Sequence, residues 1–246
     1  MMTHMTIVVF ALRAIVGANV VALDGGEPVR DAVIVIEDDR IRALGPSSTT
    51  EIPAEAEIVR ADGAWLVPGL INMHVHLGLV LPGRLAYELA DETDAELALR
   101  MAKNARTMPF FERIGSPPWY LERVKTVEAR HFRSLQLAIE EGVSIALGTD
   151  QFPFEPNDGT TATVREAEYY VEAGMTPLEA LRAATIAPAR LLGLEDAIGS
   201  VTPGKFADIV ALESDPSENI SALRSLLFVI KSGRIYPDAR PNRLLE

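Results

Sequence analysis

The feature that most constrains this chain is an apolar run that ends in two histidines. Residues 65–77 read Trp-Leu-Val-Pro-Gly-Leu-Ile-Asn-Met-His-Val-His-Leu. Pro68-Gly69 predicts a turn, and Leu70 to Leu77 is then predicted to be a buried strand. Residues two apart in a strand point the same way, so His74 and His76 would project side by side. Such a pair forms half of a metal site; the plainer interpretation is a core strand with two chance histidines, although the chain has only four.

A second candidate lies at the end of another predicted strand. Val143 to Leu147 is apolar and leads into Gly148-Thr149-Asp150. In parallel α/β folds, residues just past the strand ends face the active site. Asp150 alone could equally cap its loop. Together with His74 and His76, it makes a plausible ligand set for a divalent ion, Zn²⁺ above all, and a carboxylate beside such an ion can carry a proton to a leaving group.

The remaining histidines and a group of carboxylates are weaker candidates. His4 lies in the N-terminal tail. His131 falls within a predicted helix and is interpreted as a helix residue rather than a ligand. Three acidic residues of a later helix are expected to form a solvated face: Glu166, Glu168 and Glu172.

The distribution of strand and helix signals predicts an α/β protein of two domains. Both chain ends have β character, with a hairpin expected at Asp38-Asp39, and together they suggest a small sandwich. Helices are predicted over 128–141, from a capping box at Thr163, and from Thr176-Pro177 towards residue 192 with a kink at Pro188. The predicted division is residues 1–66 plus 196–246 for the β domain and 67–195 for a strand–helix domain.

Composition excludes several classes of function. The formal net charge is −12 and no basic patch is evident, which argues against binding to nucleic acid or to an anionic membrane. The chain has no cysteine, so disulfides and thiolate metal sites are excluded and a reducing, cytoplasmic location is expected. No run has the length of a membrane span; Thr6 to Ala22 is apolar but contains Arg13, and is interpreted as buried strands rather than a signal peptide.

Several stretches together resemble the amidohydrolase superfamily, in particular its imidazolonepropionase-like branch, which includes metal-dependent dipeptidases. Residues 66–77 resemble the first barrel strand of that superfamily, and residues 145–150, Ile-Ala-Leu-Gly-Thr-Asp, resemble its eighth. Residues 174–185 resemble the helix that follows the eighth strand. Residues 192–194, Leu-Gly-Leu, and residues 198–210, Ile-Gly-Ser-Val-Thr-Pro-Gly-Lys-Phe-Ala-Asp-Ile-Val, resemble the return into the β-sandwich, and residues 32–44 fit that sandwich as well.

The resemblance implies a TIM-type (β/α) barrel with a β-sandwich built from both chain ends. It implies a divalent metal held by His74 and His76, with Asp150 as metal ligand and general base. The implied reaction is hydrolysis of the C–N bond of a small amide, dipeptide or cyclic amide. The superfamily also uses a lysine and two further histidines that have no match in this chain. Asn72 stands where the superfamily usually has Asp, and Asp158-Gly159 stands where it often has His-Gly.

Chain length predicts that the barrel is incomplete. Only residues 77–149 separate His76 from Asp150, whereas six further strand–helix units of roughly 30 residues would need about 180. The pattern breaks near Met108-Pro109. Neither Lys103, within a predicted helix, nor Lys125, just before one, is a good candidate for the missing lysine.

Three functions are therefore compatible with the sequence. The first is a metal-dependent hydrolase that uses His74, His76 and Asp150. The second is a shortened, catalytically impaired remnant of such an enzyme, whose open sheet could be completed by a homo-oligomer. The third is a binding or scaffold protein in which the β-sandwich is the functional part.

Overall fold

A computed structural model of the chain describes residues 12–74, 130–150 and 160–237. The chain divides into two compact units. The first comprises Met1–Ile71 and Pro177–Glu246, and the second comprises Asn72–Thr176. The domain boundaries expected from the sequence, at residues 66/67 and 195/196, stay a prediction.

An eight-stranded sheet forms the framework of the first unit. Its strands are β1 (Leu12–Val20), β2 (Val29–Glu37), β3 (Arg40–Pro46), β4 (Glu57–Arg60), β5 (Trp65–Pro68), β6 (Ile209–Leu212), β7 (Leu226–Lys231) and β8 (Arg234–Pro237). They lie in the order β3-β2-β1-β5-β6-β7-β8, with β4 paired to β1 off this path. Both ends of the described chain thus contribute strands to one sheet.

The expected hairpin at Asp38-Asp39 is confirmed. Strands β2 and β3 are antiparallel, and Glu37 pairs with Arg40 across a two-residue turn. Asp38 has a φ of 55°, in the left-handed region that such tight hairpin turns require and that Asp tolerates. Five consecutive residues of β2, 32–36, are buried, so the middle of this strand is covered on both faces.

The strands from the two chain ends meet between β5 and β6. These strands are antiparallel, with Leu66 opposite Ala211 and Pro68 opposite Ile209. Leu66, Ile209 and Ala211 are fully buried and belong to the main hydrophobic core. Hydrophobic packing along this pair therefore joins segments that lie far apart in the sequence.

Two short helices of the first unit replace the single kinked helix expected there. The two helices are α3 (Pro177–Ala183) and α4 (Ile186–Leu191). Pro177 occupies the first position of α3, as predicted. The break lies at Thr185, where φ is −138° and the buried hydroxyl donates to the Leu181 carbonyl oxygen at 2.6 Å. The expected kink at Pro188 is wrong: Pro188 lies in the first turn of α4, where no backbone N–H is needed.

The second unit contains helices at residues 130–140 (α1) and Ala162–Glu172 (α2). Gly142, with a φ of 69°, follows α1 as expected of a C-terminal glycine. Helix α2 begins two residues earlier than expected, because Thr161 rather than Thr163 caps it; the Thr161 hydroxyl accepts from Val164 N at 3.4 Å. In the described part of the chain, no helix combines the length and apolar character needed to cross a membrane.

The two strands expected next to the candidate site are not regular. Residues 69–74 and 143–150 form no regular strand, and Val143 is 57% exposed. Residues 75–77, the end of the first expected strand, lie outside the described residues. Both Thr149 N and Asp150 N donate to the same His74 carbonyl oxygen, so the regular spacing of a parallel ladder is lost at this point. His4, Lys125 and the predicted helix that contains Lys103 lie outside the described residues.

Candidate active site

Two segments of the second unit run side by side and carry the candidate site. Met73 N donates to Leu147 O at 2.8 Å, and Asp150 N donates to His74 O at 2.9 Å. Leu147 is fully buried and anchors the later segment. A side chain at Gly148 would come within 3.1 Å of the Cβ atom of His74, so glycine permits this close approach. The backbone itself therefore brings positions 74 and 150 together.

The side chains of His74 and Asp150 contact each other. His74 Nε2 lies 3.3 Å from Asp150 Oδ1, and these side chains are 59% and 66% exposed. Asp150 has a φ of 48°, a left-handed conformation that Asp adopts more readily than most residues. Such an exposed contact contributes at most about 1 kcal/mol to folding.

The third predicted ligand, His76, lies outside the described residues. Within residues 12–74, 130–150 and 160–237, no three His, Asp or Glu side chains converge into a metal-binding group. His131 is exposed on helix α1, in agreement with its interpretation as a helix residue. The roles of His74, His76 and Asp150 as metal ligands stay predictions.

A network of polar side chains, which the sequence analysis did not assign to the site, connects the segments that carry His74 and Asp150. Asn72 Nδ2 donates to Thr149 Oγ1 at 2.9 Å and to Thr163 Oγ1 at 3.3 Å. Asn72 Oδ1 accepts from His74 N at 3.1 Å and from Thr149 N at 3.2 Å. In the sequence analysis, Asn72 stood out only as a departure from the family pattern, and no sequence signal predicts its hydrogen bond with Thr163.

Helix α2 supplies a second set of buried polar groups. The prediction of a fully solvated acidic face is wrong for Glu168, which is 5% exposed and accepts from Arg165 Nη1 at 3.0 Å. Glu172, at 50% exposure, accepts from the same nitrogen at 3.1 Å. An Arg three residues before a Glu on a helix is a recognisable ion-pair signal, and it could have identified this pair.

Glu166 and Tyr170 form a further pair on α2. Burial raises the pKa of Glu166, and a hydrogen bond from Tyr170 partly opposes that rise. Burial also raises the pKa of Tyr170 to about 12, with a further contribution from the charge of Glu166. Tyr170 in addition hydrogen-bonds the backbone of Gly148. The pair therefore connects α2 with the segment that carries Asp150.

Comparison with known proteins decides the family. Residues 91–236, more than half of the chain, match the Amidohydrolase family. The chain belongs to the amidohydrolase family. The resemblance inferred from its motifs is thereby confirmed.

Individual amidohydrolase relatives match part of the chain. Ochratoxinase from Aspergillus niger is 36% identical over 119 residues, which is 46% of this chain and 24% of that protein. Imidazolonepropionase from Symbiobacterium thermophilum is 35% identical over 104 residues, 41% of this chain and 24% of that protein. The chain thus spans about a quarter of the length of these relatives.

The fold is also similar to that of a solved amidohydrolase structure. The crystal structure of A. niger ochratoxinase superposes with a TM-score of 0.67 and 17% sequence identity, covering 93% of this chain and 96% of that one. At this identity the likeness concerns the fold alone. It agrees with the mixed α/β architecture and eight-stranded sheet described above.

Proposed function

We propose that this amidohydrolase is a metal-dependent hydrolase that cleaves the C–N bond of a small amide, dipeptide or cyclic amide. The observation that carries the proposal is the 3.3 Å separation of His74 Nε2 and Asp150 Oδ1. These atoms come from residues 76 positions apart, and they meet where the backbones of two segments are hydrogen-bonded to each other. Family membership supports the same reaction class.

The separation of the two side chains suits a shared ion. Zinc binds imidazole nitrogen at about 2.0–2.1 Å and carboxylate oxygen at about 2.0–2.2 Å, so two tetrahedral ligand atoms lie about 3.4 Å apart. Nε2 and Oδ1 are 3.3 Å apart. His74 and Asp150 would hold the ion, and His76 would join them as the family motif implies. A divalent ion at this position supplies a Lewis acid and a water with its pKa lowered to about 7.

The side chains of His74 and Asp150 would have different roles in the reaction. The imidazole of His74 faces Asp150 Oδ1, and the exposure of both side chains leaves the pair accessible to a small substrate. A carboxylate has a second oxygen, and that of Asp150 can take a proton from the attacking water and deliver it to the leaving nitrogen. Bond cleavage therefore requires Asp150 to enter the reaction ionised.

The finer architecture is part of the same proposal. Residues 67–195 would form an incomplete (β/α) barrel, and residues 1–66 with 196–246 would form the β-sandwich. The family motifs around residues 66–77 and 145–150 support this arrangement. In it, the segments carrying His74 and Asp150 correspond to neighbouring barrel strands, which agrees with the hydrogen bonds that join them.

Metal content and hydrolysis test the proposal directly. Purified protein should retain a divalent ion, measured by elemental mass spectrometry, and should hydrolyse members of a panel of dipeptides and cyclic amides. Asp150→Asn should lower the rate by about 100-fold or more, the range of a lost proton-transfer group. His74→Ala should lower the metal content, and the rate should fall with it. Asn is chosen at position 150 because it tolerates the positive φ found there.

An exposed histidine provides the control. His131→Ala, on helix α1, should leave metal content and rate unchanged. A wild-type protein that holds no ion, or a rate that survives Asp150→Asn, would contradict the proposal. A wild-type protein that holds no ion and hydrolyses no member of the panel would favour an inactive remnant.

A further inference from the structure

One side chain makes contacts with three of the described segments around the candidate site. Asn72 lies two residues before His74 and bonds the backbone N–H groups of both His74 and Thr149. Its amide nitrogen reaches Thr149 Oγ1 and also Thr163 Oγ1, in the first turn of α2. Asn72 therefore connects the His74 segment, the Asp150 segment and a helix.

The chemistry of these contacts matches an amide. The side-chain oxygen accepts from two backbone N–H groups, which fixes the orientation of the amide and leaves Nδ2 towards the two hydroxyls. Thr149 Oγ1 donates its own proton to His74 O at 3.2 Å, so it can only accept from Asn72. A carboxylate at position 72 could keep the two backbone bonds, but the Thr149 hydroxyl would have to turn away from His74 O to donate to it.

We propose that Asn72 is a positioning residue that sets the separation between His74 and Asp150. Every donor and acceptor of its amide is used within 3.3 Å, so little freedom remains for either segment to slide. The consequence for ion binding rests on the proposed function, whereas the spacing itself can be measured without any metal.

A disulfide reports the spacing directly, because the chain has no cysteine of its own. In a His74→Cys, Asp150→Cys protein, the two positions are joined by the 2.9 Å bond from Asp150 N to His74 O, which keeps their Cα atoms within the reach of a disulfide, up to about 6.8 Å. Oxidation of this protein should be fast. Adding Asn72→Ala should slow it about fivefold or more, and adding Asn72→Asp should give an intermediate rate.

A second asparagine serves as the matched control. Asn219 Oδ1 accepts from Ser221 N at 3.1 Å at the start of a 3-10 helix (Ile220–Arg224) in the other unit. Asn219→Ala should leave the oxidation rate of the cysteine pair unchanged. Equal oxidation rates with and without Asn72→Ala would overturn the proposal.

Cobalt titration extends the test to ion binding in the protein with its native ligands. Asn72→Ala should raise the Co²⁺ dissociation constant about tenfold, as loss of a group supporting a metal ligand does, and should alter the visible absorption of bound Co²⁺. An unchanged constant and spectrum would count against the positioning role. If wild-type protein binds no Co²⁺, the proposed function fails, and the disulfide rates alone decide the role of Asn72.

Discussion

Gly148 shows how a single residue can control the candidate site. A Cβ atom there would lie 3.1 Å from His74 Cβ, a tighter contact than most Cβ atoms make, so His74 would have to shift by a few tenths of an ångström. We expect Gly148→Ala to push the two segments apart and to weaken divalent-ion binding about tenfold, measured by calorimetry. Gly69→Ala is the control, since its Cβ would meet Asp208 at an ordinary 3.5 Å; equal affinities in the two variants would contradict this expectation.

Tyr170 should make stability depend on pH in the alkaline range. Burial raises the pKa of Tyr170 to about 12, from an ordinary value near 10, because the folded state disfavours the phenolate. The folded state thus holds the proton more tightly, and its contribution to stability is complete below pH 10 and lost between about pH 10 and 12. Tyr170→Phe should flatten this decline in urea unfolding, whereas Tyr169→Phe, on the exposed side of α2, should not.

At the scale of single residues, the sequence predicted which two side chains lie close together better than it predicted the hydrogen bonds around them. The proximity of His74 and Asp150 was predictable because strand ends in α/β folds converge, and that rule needs only local patterns. The network of Asn72 could not be found in this way, since Thr163 lies 91 positions away and hydrogen bonds between distant hydroxyls and amides leave no periodic signal. Glu168 was misjudged because an acidic residue on a helix is usually exposed.

Among the elements, the start of α2 offers a clear test. Thr161 caps this helix through Val164 N, and the predicted capping box fails because the carboxyl of Glu166 bonds Tyr170 instead. Thr161→Ala should cost about 1 kcal/mol of unfolding free energy, the usual value of a lost cap, measured by urea denaturation. The neighbouring Thr160→Ala should cost little; a larger loss at Thr160 would show that the cap is misassigned.

Helix lengths and breaks were the least predictable property of the elements. Apolar spacing indicated one helix from Pro177 towards residue 192, and that spacing continues through both α3 and α4. At the break, the Thr185 hydroxyl donates to the Leu181 carbonyl oxygen, and the Thr185 backbone N–H donates to Arg182 O instead. Thr185 is buried, so the break depends on tertiary packing that local sequence does not specify. Strand pairing at the β2–β3 hairpin was easier to predict from the sequence, since the turn residues specify the hairpin locally.

For the molecule as a whole, the pairing of β5 with β6 should dominate stability. Leu66 is fully buried between strands from both ends of the chain. Leu66→Ala should cost about 2–5 kcal/mol through lost burial and a residual cavity, and it should lower the melting temperature seen by circular dichroism. Ile58→Ala, on β4 and 50% exposed, should have a much smaller effect. Similar losses at both positions would place the core elsewhere.

The β5–β6 pair also has a consequence for biosynthesis. The edge of β5 that receives β6 leaves the ribosome 141 residues before its partner, the separation between Pro68 and Ile209. At translation rates of about 5–20 residues per second, that edge waits about 7–30 s for its neighbour. Throughout that delay the nascent chain presents unpaired backbone donors and acceptors to other polypeptides, so chaperone supply and codon usage between these strands should govern how much protein is recovered.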